Sequence, residues 1–131
     1  MKEMRDLFQS ADWKAEKHVP VIDAPEKVKK DTPFRVTVTV GKQIPHPNTT
    51  EHFIAWLEVF FQPEGAKFPS LIGRFDLGAH GAAAEGPNTS TVYTIPEVTC
   101  VMKTGKPGTL NAVAYCNIHG LWASAAAVAV E

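Results

Sequence analysis

The run Phe34-Arg35-Val36-Thr37-Val38-Thr39-Val40 alternates apolar and polar side chains at period two and stops at Gly41. Successive side chains of an extended chain point to opposite faces, so this pattern predicts a strand with one face on a core. His52 opens a second run, Phe53-Ile54-Ala55-Trp56-Leu57-Glu58-Val59-Phe60-Phe61, which is apolar almost throughout. It predicts a core strand buried on both faces and stopped by Pro63 and Gly65. Leu71 to Leu77, Ser90 to Ile95, Val98 to Lys103, Thr109 to Tyr115 and Ala123 to Val130 read as further short strands. Turn signals such as Gly86-Pro87-Asn88 and Lys106-Pro107-Gly108 separate them. About seven short strands at this rhythm predict an all-β chain, an antiparallel sandwich or barrel of immunoglobulin-like type. The segment Ala123-Ser124-Ala125-Ala126-Ala127-Val128-Ala129-Val130 has the composition of a helix. Val128 and Val130 share one face of a strand, however, and an all-β context overrides alanine propensity.

Ahead of these strands, Leu7, Phe8, Ala11 and Trp13 in the stretch from Arg5 to Ala15 fit a short amphipathic helical segment, with Asp6 and Ser10 as caps. From Lys17 onward Pro20 and Pro25 rule out a long helix, so Glu16 to Val19 is loop or edge. With 131 residues, 44% of them hydrophobic, the chain is expected to form one domain, 1–131, around one core. A formal net charge of -1 argues against a nucleic-acid or anionic-membrane partner, which would ask for a clustered basic excess. The start Met1-Lys2-Glu3-Met4-Arg5-Asp6 lacks the apolar stretch of a signal peptide, and no apolar run is long enough to cross a bilayer. A cytoplasmic location is expected. In that reducing compartment Cys100 and Cys116 are read as free thiols.

Tyr115-Cys116-Asn117-Ile118-His119-Gly120 sets a thiol and an imidazole three residues apart at the end of an apolar run. That spacing lets both close on one transition-metal ion, and alone it is a weak signal. Three upstream histidines strengthen it: His18 in Glu16-Lys17-His18-Val19-Pro20, and His46 and His52 framing His46-Pro47-Asn48-Thr49-Thr50-Glu51-His52. A lone loop histidine is ordinarily a solvated side chain or a cap. His46 and His52, in contrast, flank a proline-containing loop that presents two imidazoles from its ends at low ordering cost. Cys100 falls in a strand pattern and reads as packing, since free cysteine is commonly a buried small hydrophobe. His80, in Gly78-Ala79-His80-Gly81, has no partner motif and reads as a surface loop residue.

In order and spacing, Glu16-Lys17-His18-Val19-Pro20, His46-Pro47 with His52, and Cys116-Asn117-Ile118-His119-Gly120 resemble the iron site of superoxide reductases of the one-iron, neelaredoxin-like class. The resemblance covers nearly the whole chain. It implies one iron per chain, cycling between Fe2+ and Fe3+, held by the imidazoles of His18, His46, His52 and His119 with the Cys116 thiolate on one axial position. It implies reduction of superoxide to hydrogen peroxide without release of dioxygen, rubredoxin as electron donor, and a homotetramer or dimer. The rubredoxin-like cysteine-rich domain of the two-iron desulfoferrodoxins has no counterpart here. Lys17 resembles the cation that draws the anionic substrate to the open position, an effect that weakens with ionic strength. Glu16 resembles the carboxylate that occupies that position in the ferric resting state and leaves before substrate binds. Backbone N–H groups near Ile118 and His119 are expected to donate to the Cys116 sulfur.

Two other classes compete. A β-sandwich with a late Cys and His also describes a cupredoxin-like electron carrier, whose copper takes two His, one Cys and a weak axial Met. Met102 is the last methionine, however, and none follows His119. The other class is a metal-free immunoglobulin-like interaction module, because a fold does not fix a function.

Overall fold

The computed structural model describes residues 1–131. The alternating run forms a strand, β3 (Phe34–Val40), in which Phe34, Val36, Val38 and Val40 are buried and the residues between them are not. Two strands precede it to which the sequence reading assigned no element: β1 (Pro20–Asp23) and β2 (Lys27–Val28). After it come β4 (Ile54–Pro63), β5 (Ser70–Asp76), β6 (Glu97–Met102), β7 (Gly108–Cys116) and β8 (Gly120–Val130).

The eight strands lie in two sheets, a three-stranded one ordered β1-β3-β6 and a five-stranded one ordered β2-β8-β7-β4-β5. The expected all-β, two-layer architecture is therefore present, with one departure from antiparallel pairing: β2 runs parallel to β8. Pro20 is tolerated because it is the first residue of an edge strand, where a missing N–H costs the ladder nothing. The alanine-rich segment is strand, as expected, and pairs along the full length of β7. The core between the sheets is built from the inward faces of β3, β4 and β7, with Val36, Val38, Leu57, Val59, Leu110, Ala112 and Ala114 at zero exposure. Each large aliphatic side chain among them contributes about 1.5–3 kcal/mol by leaving water.

Three expectations are corrected. Strand β4 is not buried on both faces: Ile54, Leu57, Val59 and Phe61 are buried, while the opposite face is only half covered. That outer face is shielded by Trp56 stacked on Tyr115 and by the Arg74 guanidinium 4.8 Å over the Trp56 ring. Ser90 to Ile95 is not a strand. Its backbone hydrogens go elsewhere, Ser90 N–H to the Gly81 carbonyl, Thr94 N–H to Ala79 and Val92 N–H to the Ser90 hydroxyl, which leaves a single bridge between Tyr93 and His80. The N-terminal helical segment shrinks to one 3-10 turn, Met4–Asp6, because Gln9 is drawn into a bridge with Trp122 instead of continuing a helix.

Register decides where the chemistry sits. Pro20 opens β1 opposite Val40, which ends β3. Ile54 opens β4 opposite Cys116, which ends β7, and Cys116 faces Gly120 at the start of β8. The segment before β1, the loop from β3 to β4 and the turn from β7 to β8 therefore meet at one end of the sandwich.

Candidate metal centre

His18 reaches this end on the two residues before Pro20. The segment is tied to the larger sheet by the Ser124 hydroxyl, which donates to the Pro20 carbonyl at 2.5 Å. His46 and His52 come from the β3–β4 loop, whose exit from β3 needs Gly41 at φ +85°, close beneath the backbone of His46. Cys116 and His119 come from the β7–β8 turn, closed by Gly120 at φ +84°. Asn117 joins that turn to the histidine loop. Its Oδ1 accepts from Phe53 N–H at 2.9 Å and its Nδ2 donates to the Glu51 carbonyl at 2.9 Å.

The four imidazoles stand at the corners of a near square. Centroid distances along the sides are 4.9 Å (His18 to His46), 4.8 Å (His46 to His52), 5.0 Å (His52 to His119) and 4.7 Å (His119 to His18), and the His18 to His52 diagonal is 6.5 Å. The donor atoms of His18, His52, Cys116 and His119 all lie within 4.8 Å of one another. His46 completes the ring of imidazoles but stands outside that tighter set. Cys116 is fully buried and forms the floor, whereas His119 is exposed, so the centre is closed on the core side and reaches solvent on the other.

Hydrogen bonding explains which nitrogen each ring presents. His46 Nδ1 donates to the Pro47 carbonyl at 2.6 Å, which leaves Nε2 as a lone pair. That Nε2 is buried and has no partner in the protein, a condition that costs about 1–3 kcal/mol unless something else meets it. His18 Nδ1 faces Glu16 Oε1 at 2.5 Å, and its Nε2 lies 3.1 Å from His119 Nδ1. The same His119 Nδ1 is 3.2 Å from His52 Nε2 and 3.8 Å from Cys116 Sγ. One ring nitrogen cannot hydrogen-bond three such neighbours, because each nitrogen is either one donor or one acceptor. A convergence of lone pairs and a thiol is resolved by a cation, and the residues fit a bound metal ion.

Electrostatics favour the same state. Burial pushes His46 down to about 4, with the Pro47 carbonyl pulling the other way and the charges of His18, His52 and Lys17 deepening the depression. His52 is lowered by burial and then by His119, His18 and Lys17. Neutral imidazoles with free lone pairs are what metal binding needs. The backbone N–H of His119 approaches Cys116 Sγ at 3.4 Å, so one of the two expected donors to the sulfur is in place.

The remaining candidates fall out differently. Lys17 is half-buried, and its charge acts on both His46 and His52. Glu16 does not point among the donor atoms: its carboxylate sits behind His18 and also accepts from the His18 backbone N–H at 2.8 Å. Burial raises the Glu16 carboxyl, and the hydrogen bonds from His18 outweigh it and hold the group below its ordinary value. Cys100 packs in β6 with its Sγ 3.8 Å from the Val36 carbonyl, as a structural thiol should. His80 is corrected: it is not a surface residue but 8% exposed, stacked on Phe53. Sequence reasoning also gave no role to Trp122, Asn48 or Gln9. Only a tryptophan two residues past the Cys–His turn hinted that this corner needed a large flat side chain.

A model of the desulfoferrodoxin family matches residues 10–125 of the chain. Neelaredoxin of Megalodesulfovibrio gigas is 53% identical over 128 residues, 98% of each chain. A crystal structure from Thermotoga maritima superposes with a TM-score of 0.97 at 53% identity, covering 100% of this chain and 99% of that one. Superoxide reductase (neelaredoxin) from Archaeoglobus fulgidus in its reduced form superposes with a TM-score of 0.88 at 56% identity, over 94% and 98% of the two chains.

Proposed function

The chain belongs to the desulfoferrodoxin family, and on that premise we propose that its metal centre reduces superoxide to hydrogen peroxide. The protein is a superoxide reductase. The observation that carries the reading is the near square of four imidazoles with a buried thiol beneath it. Five donors, four of them imidazole, exceed the four that structural zinc usually takes, and with one sulfur they suit iron. A copper carrier is disfavoured by place as well as by count: Met102 pairs with Phe34, at the end of β3 away from the histidines.

When bound, iron supplies the electron for superoxide, changing between its ferrous and ferric states. The chain's own residues do the rest. His18, His46, His52 and His119 would hold the ion between them. Cys116, buried on the core side, would hold the ion as a thiolate and donate electron density to it. The His119 N–H on its sulfur tempers that donation. Lys17 raises the local concentration of the small anionic substrate, because a single well-placed charge is enough to steer it. Glu16 holds the outer nitrogen of His18 and keeps Nε2 aimed inward, the carboxylate–histidine pairing common behind metal sites. The family resemblance gives Glu16 a second place, on the metal in the oxidised resting protein, and to reach it the side chain would release His18. Solvent at the exposed His119 side supplies the two protons that accompany the electron, and no dioxygen forms.

The reading extends to residues 1–131 acting as one iron-binding domain, to rubredoxin as electron donor, to a homotetramer or dimer, and to a cytoplasmic location. The test is iron content measured together with peroxide yield. About one iron per chain and one peroxide per superoxide consumed, with a reductant present, fit a reductase. Half that peroxide, with dioxygen released, would mark a dismutase and overturn the assignment.

A further inference from the structure

His80 lies outside the square of imidazoles and takes no part in the reaction above, yet it is buried and fully engaged. Its ring lies flat on Phe53, the residue after His52, with centroids 3.9 Å apart and 12° between planes. Nδ1 meets Asn48 Oδ1 at 2.9 Å and Nε2 meets the Leu77 carbonyl. The Asn48 amide is not free to turn, since its Nδ2 donates to the Thr94 carbonyl at 2.9 Å and so keeps the oxygen toward His80. Both partners of the ring are acceptors, and the ring turns one nitrogen toward each.

Asn48 and Phe53 bracket the stretch that carries His52 and follows His46. The same stretch is gripped elsewhere by the segment that bears His80. Thr50 Oγ1 donates to the His80 carbonyl at 3.0 Å, Thr50 N–H donates to Asn88 Oδ1 at 2.8 Å, and Asn88 Nδ2 donates to the Glu51 carboxylate. The loop between the two histidines has no strand or helix of its own, so bonds of this kind are what give it a fixed shape.

We propose that His80 is a positioning residue: acting through Asn48 and Phe53, it sets His46 and His52 at the distance and orientation the metal requires. The proposal rests on the metal-centre reading given above. Outer partners of this type alter metal affinity by about 10–100-fold when removed.

The experiment uses the full-length, iron-loaded protein. His80→Phe keeps a flat ring on Phe53 and removes both ring nitrogens, and Asn48→Ala removes the partner through which Nδ1 acts. Iron affinity is measured by competition with a chelator, alongside the position of the thiolate-to-iron absorption band. Each single variant is expected to hold iron about 10–100-fold more weakly and to shift the band. The double variant is expected to be no weaker than the weaker single one. Losses that multiply in the double variant would show that the two residues act separately and would overturn the proposal. Single variants that bind iron within about twofold of the parent, the scatter expected of independent sites, would overturn it too, even if they unfold at lower temperature. If His80→Phe does not fold, Asn48→Ala decides the matter by the same criterion. A parent protein that binds no iron would sink the metal-centre reading itself, an outcome distinct from a normal parent with indifferent variants.

Discussion

Trp122 lies flat against His18, with ring centroids 4.9 Å apart and 12° between planes, and its indole N–H donates to the His119 carbonyl at 3.2 Å. One side chain thus braces imidazoles from the first and the last donor motifs, and Gln9 Nε2 reaches the same carbonyl at 2.9 Å. Trp122→Phe keeps the stack and loses the bond, so it should cost about 1 kcal/mol in denaturant unfolding and leave the visible spectrum near that of the parent. Trp122→Ala removes both and opens a cavity beside His18, with an expected loss of about 3–5 kcal/mol and weaker iron binding. Equal stability in the two variants would show that the stack does not support His18.

Gly41 makes room for His46. A Cβ there would lie 2.7 Å from the His46 backbone nitrogen, and the residue already sits at φ +85°. Gly41→Ala should therefore cost at least the ~1–2 kcal/mol of a left-handed residue with a side chain and push the His46 loop away from the other imidazoles. Urea unfolding and chelator competition read the two effects. Parent-like values in both would mean that the loop yields without consequence.

Strand β3 was legible because alternation over seven residues admits one strand register only. The alanine-rich β8 was legible because six other segments already called for a sheet, and its small side chains lie where β7 pairs with it along its length. That His18, His46, His52, Cys116 and His119 converge was legible because each motif is local and each contains a residue type with few structural uses. Strands β1 and β2 were not, being four and two residues long and set among prolines. His80 was missed because its meaning lies in partners such as Asn48, 32 positions away, and no spacing rule announces that pairing. Glu16 was placed near the metal by its motif, but spacing could not say that its carboxylate would face the outer nitrogen of His18.

Cys116 supplies the only sulfur in the donor cluster and is fully buried, with the His119 N–H directed at it. Cys116→Ser should abolish the thiolate-to-iron absorption and most of the superoxide-consuming activity, since a serine hydroxyl does not ionise as a thiol does on binding metal. A visible band that survives the substitution would mean that the sulfur is not on the metal.

Glu16 should prove dispensable for the electron transfer and useful for holding the metal. In Glu16→Ala the His18 Nδ1 loses its carboxylate, and iron affinity is expected to fall about 10–100-fold. The reduced, iron-loaded variant should still be oxidised rapidly on mixing with superoxide, followed by stopped-flow absorbance. A variant that holds iron but is not oxidised would place Glu16 in the chemistry itself.

Lys17 brings a positive charge to the rim where His46 and His52 both feel it. An anion such as superoxide is drawn toward that charge over roughly a Debye length, about 10 Å at 0.1 M salt, so the attraction weakens as salt is added. Lys17→Ile removes the charge while keeping an apolar side chain of moderate length. Superoxide capture at low salt is expected to slow by up to about tenfold, and the dependence of the rate on ionic strength to flatten. Iron content and the absorption band should stay at parental values, because Lys17 is not among the donor atoms. A capture rate and salt response matching the parent would remove steering from the account and leave Lys17 as a solvated loop cation.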